Sequence, residues 1–366
     1  MLKRVPALLL SVIWVAVAAW GAEPARKTHN VILLMSDGLR WQDVFQGADA
    51  QLMTEENGHV ANIPRLREQF WREKPQARRE ALMPFLWSVV ARQGQIFGNP
   101  ALGSRVQVTN GKNFSYPGYN EILCGFADPR IDSNDKVPNP NSTVLEWLSQ
   151  KPAFQLQIAA FAAWDVFPYI LNTARSHLFV NAGYDPMLAP PVTPEIELLN
   201  RIRVETGIWE GEPLDAPVFR TALAYWKQHK PKVLFLSLGE GDEWAHAGRY
   251  DMYLEAAHRF DQYAREVWET AQSMEEYRGK TTLILAVDHG RGAGLQEWIG
   301  HGRKHPDSKD VWLAVLGPDT PALGERKGVP LVTESQVAAT LAALLGEDYN
   351  AAVPQAGRPV ADVMGR

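Results

Sequence analysis

The chain has a single cysteine, Cys124, in 366 residues. No intrachain disulfide is therefore open to it, and stability has to come from packing or bound metal. It also lacks an excess of positive charge. A net charge of -5 and a pI near 6.0 provide no basic field, which argues against nucleic acid as the main partner. No long low-complexity stretch and no internal repeat interrupts it. The one sustained apolar run, about Ala7 to Trp20, is short for a membrane span.

That run has another reading. Lys3 and Arg4 precede it and small residues follow it, so residues 1–22 have the pattern of a signal peptide, with cleavage after Gly21 or Ala22. An uncleaved anchor is the rival reading. Export to the periplasm or outside the cell is expected, with no stable membrane span once the leader is removed. Residues 23–366 then form the mature chain, and 46% hydrophobic residues are enough for one large core. The thirteen tryptophans are spread along the chain, as core and rim residues are.

Strand-like apolar segments alternate with helical ones. Strands are expected at Asn30–Met35, Phe154–Phe161, Leu178–Asn181, Lys232–Leu238, Thr281–Val287 and Val311–Leu316, mostly as continuous apolar runs rather than alternating ones. Helices are expected at Leu82–Arg92, Thr143–Gln150, Pro194–Val204, Pro217–His229, Met252–Gln272 and Glu334–Leu345. This order predicts a three-layer α/β/α sandwich around a mostly parallel sheet. The stretch Gly125–Ser142, rich in Asp, Asn and Pro, reads as an ordered loop.

Open α/β sheets bind ligands at the carboxyl ends of their strands, and acids and imidazoles gather there. Asn30–Met35 is followed by Asp37-Gly38, Lys232–Leu238 by Asp242 and His246, and Thr281–Val287 by Asp288-His289; His301 and His305 precede Val311. Each alone has an ordinary explanation: Asp-Gly is a common turn, and residues four apart on a helix are surface neighbours. Asp288-His289 is less ordinary, because a strand sends adjacent side chains to opposite faces and only a turn beyond its end lets both converge. Three aspartates and three histidines together suit Zn²⁺ or a similar divalent ion, and six ligands are too many for one tetrahedral site. Two metal ions fit the count.

The segments VILLMSDG, NFSYPGYNEILCG, GDEWAHAG, LAVDHGRG and GHG followed by WLAVLGP resemble, in that order, the alkaline phosphatase superfamily. They are most similar to its type I phosphodiesterase and nucleotide pyrophosphatase branch. The resemblance implies an alkaline phosphatase-like fold and a nucleophile at Ser115, in the sequence Ser115-Tyr116-Pro117. It further implies that Asp37, Ser115, Asp288 and His289 hold one metal, while Asp242, His246 and His301 hold the other. Asn134, about twenty positions after Ser115, takes the place of an asparagine that contacts the phosphoryl group. Asn110, Asn113 and Asn120 are alternatives for that role, Thr109 is a second hydroxyl candidate, and His305 rivals His301.

The chain departs from the branch where Gly118-Tyr119 replaces its usual Asn-His, which puts a nucleotide-type preference in doubt. The expected chemistry is hydrolysis of a small-molecule phosphate ester, more of diester than of monoester type. A serine activated by a divalent cation attacks phosphorus and passes through a phosphoseryl ester. A sulfatase is disfavoured because Pro129 and Arg130 stand too far from Cys124. A phosphomutase of the same superfamily and a metal-stabilised binding protein without turnover are the competing readings.

Overall fold

A computed structural model describes residues 26–365. The leader read at residues 1–22 lies outside them. Among the described residues no helix is long and apolar enough to cross a membrane.

Among the described residues there are eleven strands: β1 (Asn30–Ser36), β2 (Gln95–Phe97), β3 (Val106–Gln107), β4 (Ile158–Ala162), β5 (Phe179–Ala182), β6 (Val233–Leu238), β7 (Thr281–Ala286), β8 (Asp310–Val311), β9 (Leu313–Leu316), β10 (Gly324–Glu325) and β11 (Val332–Thr333). Eight of them make the central sheet in the order β10-β2-β9-β7-β1-β6-β4-β5. The pairs β7-β1, β1-β6, β6-β4 and β4-β5 are parallel, and β9 runs against both of its neighbours. Every residue of β1, β6 and β7 is buried, which requires cover on both faces of the sheet. Helices supply it, and the result is an α/β/α sandwich. A three-stranded sheet, β11-β3-β8, stands to one side.

The register places the three central strands level at their carboxyl ends. Met35 pairs with Ser237 on one side and with Ala286 on the other. Whatever follows these strands therefore emerges at one edge, side by side.

Three elements depart from the expectations. The helix expected at Leu82–Arg92 is interrupted: one helix, Pro75–Leu82, ends there, and a π-helical turn, Leu86–Val90, runs into Ala91–Gln93. Pro84 explains the break, since proline disfavours a helical residue before it and donates no hydrogen bond. The strand expected at Val311–Leu316 is split between two sheets at Trp312, whose indole N–H donates to the Leu39 carbonyl (3.2 Å). Of Phe154–Phe161 only the stretch from Ile158 is strand, because Pro152–Phe154 forms a 3₁₀ turn. The other expected helices form, each shifted by a few residues at most.

The turn after Pro84 depends on a distant acid. Asp261, buried in the long helix Tyr250–Ser273, accepts the N–H groups of Phe85 (2.7 Å) and Leu86 (2.8 Å). Asp261→Ala leaves both donors buried without that partner, at a cost of about 1–3 kcal/mol for each. Urea unfolding should show the loss as a lower midpoint; an unchanged midpoint would contradict this role.

Candidate functional site

Asp37 follows β1, Asp288 and His289 follow β7, and the helix Glu240–His246 follows β6 after Gly239. That helix carries Asp242 and His246 four residues apart, hence on one face. His301 comes from the loop before β8. Ser115 opens a helix, Ser115–Cys124, that is buried along its whole length.

Two glycines permit this approach. A Cβ on Gly118 would stand 2.3 Å from the Asp288 carbonyl oxygen, so the Ser115 helix lies directly against the end of β7. Gly38 has φ +59, and a Cβ there would stand 2.7 Å from the Asp242 carboxylate. Both positions need a residue without a side chain.

The side chains converge. His289 Nε2 lies 3.2 Å from Asp37 Oδ1, 3.4 Å from Asp288 Oδ2 and 3.8 Å from Asp242 Oδ1. Ser115 Oγ lies 3.4 Å from the same nitrogen. His246 Nε2 lies 3.0 Å from Asp242 Oδ2 and 2.9 Å from His301 Nε2, and His301 Nε2 is 3.7 Å from Asp242 Oδ1. All seven side chains read as metal ligands from the sequence are thus brought to one place.

Other candidates are engaged elsewhere. Thr109 Oγ1 donates to Glu121 (2.6 Å), and so does the Asn110 amide (3.1 Å). Asn120 donates to the Phe126 carbonyl and accepts from Asn139 and Asn141. Asn113 meets the cluster through its backbone, 3.3 Å from His301 Nδ1. His305 packs over Gly300, and it belongs to neither of the two potential metal-holding groups found among the described residues. Asn134 Oδ1 accepts the Tyr116 N–H (3.0 Å), next to Ser115, which leaves its amide hydrogens free of this bond.

Two participants escaped the sequence reading. Arg291, buried, donates to the Gly38, Ile299 and Asp242 carbonyls and to the Asp242 carboxylate. It stands two residues past His289, and an arginine beside glycines gave no sign of pointing inward. Tyr119 donates to Asp37 Oδ2 (3.0 Å) and meets Ser237 Oγ (2.8 Å). It had registered only as a departure from the family pattern.

Charge in the cluster is frustrated. Burial holds the Asp288 carboxyl well above the ordinary carboxylate range, and the negative charges of Asp37 and Asp242 add to that. Burial opposes ionisation of Asp242 too, but Arg291, His301 and His246 outweigh it and hold this carboxyl well below its usual range. Burial also disfavours a charged His289, yet Asp288, Asp37 and Asp242 prevail and lift its pKa to about 9. For His301, burial and His289 act together and push the pKa down to about 2.

The donor set fits divalent cations. Asp37 Oδ1 and Asp288 Oδ2 are buried with no donor but the His289 ring beside them; once that ring is bare, as a metal ligand must be, both are orphaned, a costly arrangement unless something positive satisfies them. His289 Nδ1 donates to the Gly290 carbonyl (2.9 Å), which fixes the tautomer and turns the Nε2 lone pair toward the acids. Two overlapping groups, Asp37-Asp288-His289 and Asp242-His289-His301, have ligand atoms within 4.8 Å of one another.

The fold defines a class, that of proteins with the alkaline phosphatase-like fold. Similar solved structures include a protein of the alkaline phosphatase superfamily from Vibrio parahaemolyticus, at 12% identity and TM-score 0.54, covering 92% of this chain and 70% of that one. The alkaline phosphatase PafA is similar at 10% identity and TM-score 0.59, covering 94% and 100%. A phosphonate monoester hydrolase from Silicibacter pomeroyi is similar at 15% identity and TM-score 0.57, covering 93% and 77%. No family model and no curated protein matches the chain. At these identities the likeness establishes the fold and no particular branch.

Because the pKa of about 9 keeps a proton on His289 at pH 7, burial favours a proton on Asp288 as well, and a cation needs both groups bare, loading zinc into metal-free protein should release about one to two protons per chain. The release should fade as pH rises past 9. Calorimetric titration in buffers of different ionisation heat measures it. A heat independent of buffer at pH 7 would contradict the assignment.

Proposed function

We propose that this protein is an exported, metal-dependent hydrolase of small-molecule phosphate esters, of diester type, with Ser115 as nucleophile. The observation that carries the reading is the position of Ser115 Oγ, at a helix N-terminus and 3.4 Å from His289 Nε2, inside a cluster of three aspartates and three histidines. Asp37, Ser115, Asp288 and His289 would hold one cation and Asp242, His246 and His301 the other, with Zn²⁺ as the ion that suits mixed carboxylate and imidazole ligands. When bound, such a pair lowers the pKa of a coordinated hydroxyl and offsets the charge gathering on a phosphoryl group in flight.

The chain's own residues do the rest. Ser115 Oγ forms a bond to phosphorus as the bond from phosphorus to the leaving alcohol's oxygen breaks, and the proton that Ser115 gives up ends on that departing oxygen. Water then hydrolyses the phosphoseryl ester and restores the serine hydroxyl. The amino end of the Ser115 helix favours the negative phosphoryl group through its dipole. Asn134 stands ready to donate its amide hydrogens to a non-bridging oxygen.

The diester preference rests on the resemblance of the segments around Ser115, Asp242 and Asp288 to the phosphodiesterase branch. A cleft of about 410 Å³ is lined by Lys136, Asp165, Tyr169, Asn172 and Asp185 among others. Tyr116, next to Ser115, donates its hydroxyl proton to the carbonyls of Val137 (2.6 Å) and Tyr169 (3.3 Å), tying the cleft wall to the nucleophile's neighbour. Nucleic acid is not proposed as a main partner. The periplasm or the exterior is the proposed compartment, from the leader pattern.

Ser115→Ala should lower kcat/KM on a chromogenic phosphodiester by about 10³-fold or more with an unchanged unfolding temperature. On a panel of diester, monoester, phosphonate and sulfate esters, the wild type should favour the diester. Retained turnover in the variant would remove Ser115 from the reaction, and a monoester or sulfate preference would overturn the substrate class.

A further inference from the structure

Tyr119 is fully buried, and its ring is held edge-on against Phe167 at a centroid distance of 4.7 Å. Its hydroxyl has two partners, Asp37 Oδ2 at 3.0 Å and Ser237 Oγ at 2.8 Å. A carboxylate only accepts, so the phenol proton points at Asp37 and the phenol oxygen accepts from Ser237. This makes a directed chain, Ser237 to Tyr119 to Asp37, whose links strengthen one another. It occupies one oxygen of Asp37 and leaves the other, Oδ1, buried with only the His289 ring beside it, 3.2 Å from Nε2.

Ser115 and Tyr119 are four residues apart on one helix, hence on one face. That face presents the candidate nucleophile at its start and the phenol one turn later. Gly118, between them, is what lets the helix press against Asp288. The pair Gly118-Tyr119, where the resembled branch has Asn-His, therefore forms a contact of its own.

We propose that Tyr119 is a positioning residue that orients Asp37 as a cation ligand and, through the helix they share, sets Ser115 against the same cation. The inference rests on the reading of the site as a metal-dependent hydrolase. It concerns this chain's own hydrogen bonds, and metal affinity tests it apart from turnover.

The variant is Tyr119→Phe, which keeps the ring and removes the hydroxyl. Zinc affinity is read by competition with a chelator, and thermal unfolding of the metal-free protein controls for folding. The expected result is a loss of about 10–100-fold in affinity for one of the two ions, the other ion bound as in the wild type, and diester hydrolysis largely recovered in excess zinc. Ser237→Ala should act in the same direction by a smaller factor, and it carries the test should Tyr119→Phe fail to fold. Wild-type affinity in a folded Tyr119→Phe, or in Ser237→Ala when that variant carries the test, overturns the proposal. Equal weakening of both ions overturns it as well. A wild-type protein that binds no zinc at all overturns the metal-dependent reading itself, a different outcome.

Discussion

Three carboxylates and a fully buried imidazole share a few ångströms at the carboxyl edge of one sheet, and the like charges among them have to be cancelled. Much of the surrounding structure is arranged around that requirement. Arg291 reaches in to neutralise part of Asp242, the Gly38 N–H donates to Asp288, and Tyr119 donates to Asp37. These contacts leave two carboxylate oxygens with only the His289 ring beside them. Orphaned acceptors in a buried site are costly in proportion to how little water reaches them. A divalent cation would remove the cost, and binding the ion and stabilising the site would then be one event.

The fold supplies this concentration of charge at no cost in special geometry. Level parallel strands end side by side, and the residues after them share one edge, as Asp37, Asp242 and Asp288 do. Ser115 arrives differently. It rides on a buried helix that glycine at position 118 allows to touch the end of β7, so the distance from Ser115 to the acids is set by backbone contact. A side chain at that position would move the hydroxyl and the phenol together.

The central strands were legible because buried parallel strands are continuous apolar runs, as Asn30–Met35 and Thr281–Val287 are. The ligands were legible for a related reason, since polar residues directly after such runs stand out. Boundaries were less so: Pro84 marks its own break in the sequence, whereas nothing in the composition of Val311–Leu316 warns of the contact from Trp312 to Leu39 that divides it. The Ser115 helix was missed because Tyr-Pro-Gly reads as a turn, and its burial along its whole length is a tertiary fact that the turn pattern hides. Arg291 and Tyr119 were hidden for another reason. Their roles are hydrogen bonds to residues hundreds or tens of positions away, Gly38 and Asp37, and no local pattern encodes such a pairing.

X-ray anomalous scattering at the zinc absorption edge, from crystals of the zinc-loaded protein, tests the central claim most directly. Two peaks are expected, one bounded by Asp37, Ser115, Asp288 and His289 and the other by Asp242, His246 and His301. A map with no peak among these seven side chains would contradict the account.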